Sequence, residues 1–210
     1  MHEDQREKIA EILGIEAKEK VKLVATLHCN GGIKVRDRFR YQGIQECAAA
    51  NLAMAGQKEC IFGCLGFGDC ARICPFGAIG MSQGGLPVVN DAKCKACNKC
   101  VEVCPKKLFT LIPAKAKVYP VRDKTPEATA GCLRQPISNG VYIACSSHDT
   151  GKDTKTVCPV GCIACRLCEK ACKFDAIHVI DNLAVIDYHK CTSCGECVKV
   201  CPVKCIKVRE

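Results

Sequence analysis

The sequence has no tryptophan and few other aromatics: six phenylalanines and four tyrosines in 210 residues. A core built on large aromatic side chains is therefore excluded. No run approaches the 18 or more apolar residues of a membrane span, so no direct membrane span is expected. The chain opens Met1-His-Glu-Asp-Gln-Arg-Glu-Lys8, charged from the start, with no apolar stretch of a secretory signal. It has no phosphate-binding P-loop, no G-x-G-x-x-G fingerprint and no Ser/His/Asp set that can be placed. No catalytic site of ordinary side-chain chemistry is expected.

What the chain has is cysteine, 22 residues of 210. That density belongs to a disulfide scaffold or to a metal-rich protein. Disulfide scaffolds are short, secreted and led by a signal peptide. Here the cysteines cluster at C-x2-C and C-x3-C spacing, too close for ordinary disulfide pairing but suited to shared metal centres. A reducing compartment follows, most simply the cytoplasm.

Two stretches carry the full C-x2-C-x2-C-x3-C-P signature of a [4Fe–4S] ferredoxin: Cys94, Cys97, Cys100 and Cys104 before Pro105, and Cys191, Cys194, Cys197 and Cys201 before Pro202. A third, Cys162, Cys165, Cys168 and Cys172, has Lys173 in place of the proline. The fourth is irregular: Cys60, Cys64, Cys70 and Cys74 before Pro75, with Phe67 where the third run has Cys165. In such runs three thiolates wrap one cluster and the fourth ligates the neighbouring one.

The runs are related by duplication. A shift of 98 maps Cys47, Cys60, Cys64, Cys70 and Cys74 onto Cys145, Cys158, Cys162, Cys168 and Cys172. A shift of 97 maps Cys94, Cys97, Cys100 and Cys104 onto Cys191, Cys194, Cys197 and Cys201. The expected architecture is α+β and loop-rich, with two tandem ferredoxin-like two-cluster domains. Residues 1–28 form an N-terminal helix and strand, 29–105 the first unit, 106–131 a basic linker and 132–210 the second unit. Expected elements include a helix over 1–20, strands over Lys22–His28, Leu86–Asn90 and Phe109–Ile112, and a helix over Ala48–Ala55 ending at Gly56.

In the second unit Cys162, Cys165 and Cys168 hold one cluster with Cys201, and Cys191, Cys194 and Cys197 hold the other with Cys172. In the first, Cys94, Cys97 and Cys100 pair with Cys74. The remaining cluster has Cys64, Cys70 and Cys104; Cys60 is the nearest candidate for its missing ligand, with Cys47 or Cys29 next, and the Gly66-Phe67-Gly68 insert would let Cys60 swing in. At least four [4Fe–4S] clusters are expected, and one or two more could draw on Cys29, Cys47, Cys132, Cys145 and Cys158. Cys205 aligns with Ala78, Ala176 and Leu108 and reads as a packing position. The histidines share no ligand spacing.

The formal net charge is +9. An all-cysteine cubane adds about two negative charges, so four clusters cancel most of that balance, and no nucleic-acid partner is expected. Potentials near the ferredoxin value of about −400 mV are the natural expectation.

Several stretches, namely Lys8–Leu13, His28–Gly32, Gly63–Gly68, Cys74–Ile79, Gly85–Val89 and Asn182–Tyr188, resemble the B subunit of the Rnf electron transport complex, the ion-translocating ferredoxin:NAD+ oxidoreductase. The resemblance covers essentially the whole chain. It implies an electron-transfer subunit, cytoplasmic and peripheral to the plasma membrane, that relays electrons between reduced ferredoxin and the other subunits of a membrane redox complex. Members of that family begin with a transmembrane helix and a further cluster domain, which ends just before a helix like residues 8–19. Their absence here implies a shortened sequence or a split form anchored through another chain. The alternative is a free polyferredoxin serving a hydrogenase or dehydrogenase. The basic segments Ile33–Arg40 and 106–124 favour docking to an acidic partner.

Overall fold

The computed structural model describes residues 22–114 and 140–209, together with Ile12. Except for Ile12, the expected N-terminal helix lies outside the described residues, as do Cys132 and most of the expected linker.

Four two-stranded antiparallel sheets make up the β structure among the described residues. In the first half, β1 (Leu23–Leu27) pairs with β4 (Phe109–Pro113), and β2 (Ile79–Met81) pairs with β3 (Pro87–Val89). In the second half, β5 (Val141–Ile143) pairs with β8 (Ile206–Val208), and β6 (Ile177–Ile180) pairs with β7 (Leu183–Ile186). The β6–β7 hairpin turns on Asp181 and Asn182 at φ 47° and 60°, the left-handed conformation that a two-residue turn needs and that Asp and Asn tolerate. Sheet β1–β4 pairs a strand of the expected N-terminal segment with one of the expected linker, on either side of the expected first unit.

The helices are short: α1 (Cys47–Leu52), α2 (Asp69–Arg72), α3 (Lys99–Val103), α4 (Gly151–Val157), α5 (Leu167–Ala171) and α6 (Glu196–Val200). α1 stops before the expected Ala55, because Met54 and Ala55 turn to φ 51° and 59° and deliver Gly56 beneath Leu65. α2 lies against α3, and α5 against α6.

The cores are thin and built partly of sulfur. One gathers Val24, Ala25, Ile79 and Phe109 with Cys70, Cys94 and Cys100. The other gathers Val141, Ile143, Ile177, Ile186 and Ile206 with Cys145, Cys162, Cys168 and Cys205. Metal binding is folding free energy in such proteins, which offsets the small apolar area.

The halves meet directly. His28 Nδ1 lies 2.7 Å from the Ile143 carbonyl and Nε2 lies 2.6 Å from the Thr110 hydroxyl. Burial lowers the His28 pKa, against the upward pull of that carbonyl. A neutral ring then donates from Nδ1 and accepts at Nε2. Ser146 Oγ donates to the His28 carbonyl at 2.9 Å. Near the C-terminus, buried Arg209 reaches across to Asp91 at 2.8 Å and to the Thr26 hydroxyl.

Candidate metal centres

One local design recurs around the cysteines. In the three regular runs the residues flanking the middle cysteine take left-handed backbone: Ala96 and Asn98 (53°, 69°), Ala164 and Arg166 (53°, 59°), Ser193 and Gly195 (54°, 79°). Each second residue of these pairs then starts the short helix that carries the third cysteine. This path curls the loop back on itself around the middle cysteine. After the fourth cysteine the backbone turns again. The amide four residues on donates to the sulfur: Ala78 to Cys74 at 3.4 Å, Leu108 to Cys104 at 3.5 Å and Ala176 to Cys172 at 3.4 Å. Amides aimed at sulfur favour the thiolate form that binds iron.

The cysteines ring open spaces. Cys74, Cys94, Cys97 and Cys100 line one cavity. Cys172, Cys191, Cys194 and Cys197 line another. Both sets are the ones expected from the spacing. Among the described residues no three His, Cys, Asp or Glu side chains converge closely enough to hold a single metal ion. Burial, joined by the charges of Cys191 and Cys194, pushes the Cys197 thiol up to about 12.

The irregular run behaves differently from expectation. Gly66 and Gly68 sit at φ 84° and 80°, the positions that Ala164 and Arg166 hold in the third run. The loop therefore follows the ordinary path with Phe67 in place of the middle cysteine, and it makes no special fold to admit Cys60. The cavity lined by Cys64, Cys70 and Cys104 is completed by Cys47. Cys60 lies elsewhere, with Cys29, Cys145 and Cys158 where the halves meet. Asp69 is what delivers Cys47. Its carboxylate accepts from the Cys47 amide at 2.9 Å and the Ala48 amide at 3.4 Å, fixing the start of α1, and Arg72 pairs with its other oxygen. Burial, then the neighbouring cysteines, pushes both Cys64 and Cys70 up to about 12. A sequence signal for this existed: Asp69 replaces Leu167 of the third run, immediately before the shared cysteine.

Cys162, Cys168 and Cys201 of the expected third set pack in one core, with a fifth sulfur among them, and Cys165 is exposed at its edge. Cys205 is buried in its packing position, 3.6 Å from Cys201. Its S–H is shared with Cys162 and Cys201, which holds both of those thiols down and raises Cys205 itself.

Residues 59–109 match the family described as 4Fe-4S dicluster domain, and residues 159–175 and 184–207 each match a 4Fe-4S binding domain. The chain holds several [4Fe–4S] clusters. It is 42% identical over 199 residues to the B subunit of the Na+-translocating ferredoxin:NAD+ oxidoreductase complex of Acetobacterium woodii, covering 94% of this chain and 53% of that protein. It is 39% identical over 202 residues to the B subunit of the ion-translocating oxidoreductase complex of Methanosarcina acetivorans, covering 96% of this chain and 68% of that protein. The chain belongs to the Rnf B-subunit family. A further member, from the proton-translocating ferredoxin:NAD+ oxidoreductase complex of Clostridium ljungdahlii, is 37% identical over 204 residues, with 96% and 64% covered. The chain thus spans about half to two thirds of the length of these Rnf relatives. Among its described residues no helix is long and apolar enough to cross a membrane.

Proposed function

We propose that this chain is an electron relay of an ion-translocating oxidoreductase complex, peripheral to the cytoplasmic face of the membrane. It carries two tandem two-cluster units and passes electrons between reduced ferredoxin and the other subunits. The observation that carries the reading is the repeated cysteine-ringed cavity with backbone amides aimed at the sulfurs. A bound cubane supplies one-electron redox chemistry at low potential.

The chain's own residues do the rest. Cys47, Cys64, Cys70 and Cys104 are one ligand set, and Cys74, Cys94, Cys97 and Cys100 the second. Cys162, Cys165, Cys168 and Cys201 are the third, and Cys172, Cys191, Cys194 and Cys197 the fourth. Amides of Ala78, Leu108 and Ala176 stabilise the charged sulfurs, and the thin apolar shell limits water. Within each unit the fourth cysteine of one run serves the other, so the paired sites share backbone.

The test is anaerobic titration of the purified protein with reduced ferredoxin, read by the visible absorbance of the clusters and by electron paramagnetic resonance. Bleaching in step with added ferredoxin supports the relay; clusters that dithionite reduces but ferredoxin does not would refute ferredoxin as donor. Extraction from membranes at low and high salt separates a component of the complex from the free polyferredoxin: a chain that fractionates alone at low salt is a diffusible carrier.

A further inference from the structure

The cavity where the halves meet is lined by Cys29, Cys60, Cys145 and Cys158, two cysteines from each half. Only Cys60 falls inside a residue range matched by a cluster-domain family. All four are free thiols. Isolated buried cysteines pack as small hydrophobes against their neighbours. These four instead surround a space of the same scale as the other cysteine-ringed cavities. Protein interiors are otherwise close-packed.

The four are related by a pseudo-twofold arrangement that the strand register exposes. Leu27 pairs with Phe109, and Ile143 pairs with Ile206. Phe109 and Ile206 stand at the same distance after Cys104 and Cys201, so Leu27 corresponds to Ile143 and Cys29 to Cys145. The flanking amides agree: His28 donates to the Leu108 carbonyl at 2.8 Å and Ala144 to the Cys205 carbonyl at 2.7 Å. Cys60 and Cys158 correspond through the duplication. Each opens a C-x2-G-C turn closed by an amide-to-carbonyl bond, Gly63 to Cys60 at 3.0 Å and Gly161 to Cys158 at 3.2 Å. A Cβ on Gly161 would come within 2.4 Å of Thr154 Cγ2, so the turn has no room for a larger residue.

The sulfurs also carry the signature seen at the other sites. The Cys64 amide donates to Cys29 Sγ at 3.4 Å, and the corresponding Cys162 amide donates to Cys145 Sγ at 3.2 Å. A Cβ placed on Gly31 would lie 3.8 Å from Cys29 Sγ and 3.7 Å from Cys158 Sγ, so sulfurs from both halves face one small region.

We propose that Cys29, Cys60, Cys145 and Cys158 ligate a further [4Fe–4S] cluster that joins the two units. Cys64 and Cys162, each in the ligand set of the nearest site in its own unit, are the residues whose amides hold Cys29 and Cys145. The junction is thus tied by a single hydrogen bond to one site on each side. Single electrons enter from one unit and leave to the other, with no bond or proton changing hands. The route becomes one line of five clusters instead of two separate pairs. Of the 22 cysteines, only Cys132 and Cys205 then lack a cluster. The proposal rests on the relay reading for its role but not for its existence.

The first test is iron and acid-labile sulfide per chain in the anaerobically reconstituted wild-type protein. Five clusters give about 20 of each; about 16 overturns the proposal. One zinc per chain in place of the fifth set of iron and sulfide also overturns it. In Cys158→Ala, iron and sulfide are expected to fall by one fifth, and an unchanged count refutes the assignment. Alkylation of the native variant followed by mass mapping covers misfolding. Cys29, Cys60 and Cys145 should become reactive while Cys94, Cys97, Cys191 and Cys194 stay protected. In the wild type, rapid alkylation of all four junction cysteines rejects the site without any variant. A full iron count with no reduction by ferredoxin would leave the cluster standing and reject only the relay.

Discussion

Cys205 offers a direct test of how the fold sets a cluster's potential. Its thiol is buried and lies 3.6 Å from Cys201 Sγ, and it also reaches Cys162. Both partners belong to one proposed ligand set. A donor to a thiolate ligand stabilises the more negative, reduced cluster and so raises its potential. The corresponding residues Ala78 and Ala176 show that the packing position accepts alanine. Cys205→Ala should therefore leave the fold and the cluster count intact. A hydrogen bond of this kind contributes about 0.5–1.5 kcal/mol. For a one-electron couple, 59 mV corresponds to a tenfold change, or about 1.4 kcal/mol, so the midpoint should fall by about 20–60 mV. The assay is a redox titration followed by electron paramagnetic resonance, in which the remaining clusters serve as internal standards. A midpoint that stays put or rises would refute the hydrogen-bond account, and a lost cluster would show that Cys205 is a ligand.

Four further outcomes are expected. Cys47→Ala should remove one cluster, and adding Phe67→Cys should restore it, because Phe67 already sits on the regular loop path; iron analysis reads both. Asp69→Ala removes the acceptor for the Cys47 and Ala48 amides and should cost about 1–2 kcal/mol, seen as a lower midpoint in thermal unfolding. Asp91→Ala leaves the buried Arg209 without its half-buried carboxylate, and a buried donor left without its partner costs about 1–3 kcal/mol; calorimetry should show the loss, and an unchanged transition would mean that water already serves the guanidinium. The cluster-free chain should lose stability as pH rises from about 9 toward 12. Burial lifts Cys60, Cys64 and Cys70 from an ordinary value of 9.0 to about 12. Between those values the unfolded chain has released protons that the folded chain retains, so stability is full below the lower value and lost above it. Urea unfolding at several pH values checks the sign.

The regular runs were legible because their ligand spacing is local. Cys94, Cys97 and Cys100, or Cys191, Cys194 and Cys197, lie within two turns of chain, and the same left-handed positions recur in each. The duplication was legible for the same reason. The irregular site was not, because its fourth member comes from a segment of different length in the two halves. Counting back from Cys60 and Cys158 equates Cys47 with Cys145. The β1–β4 and β5–β8 registers equate Cys29 with Cys145 instead. Strand pairing is fixed by hydrogen bonds, whereas loop length is free to vary, so the register is the better guide. The extra chain between Cys29 and Cys60 carries α1, and with it Cys47. Proximity in sequence favoured Cys60 for that vacancy, whereas Cys47, its amide held by the Asp69 carboxylate, lines the cavity of Cys64, Cys70 and Cys104. The basic stretch expected to dock partners is also partly engaged within the fold: Arg36 pairs with Glu59, and Arg38 donates to the Met54 and Gly56 carbonyls.

The reach of Arg209 back to Asp91 and Thr26 bears on the order in which the molecule is made. During synthesis Cys104 emerges before any residue of the second half, so both cluster sets of the first unit can close while the ribosome is still translating. The junction set waits for Cys158, and the second unit waits for Cys201. The Arg209 contacts, donated almost from the end of the described chain, can form only after all of these. A chain cut short before residue 209 would thus keep the cysteines of the first unit and lack its latch. Of the contacts that tie the halves together, those of Arg209 are thus the last that synthesis allows, after His28 has met Ile143 and Ser146.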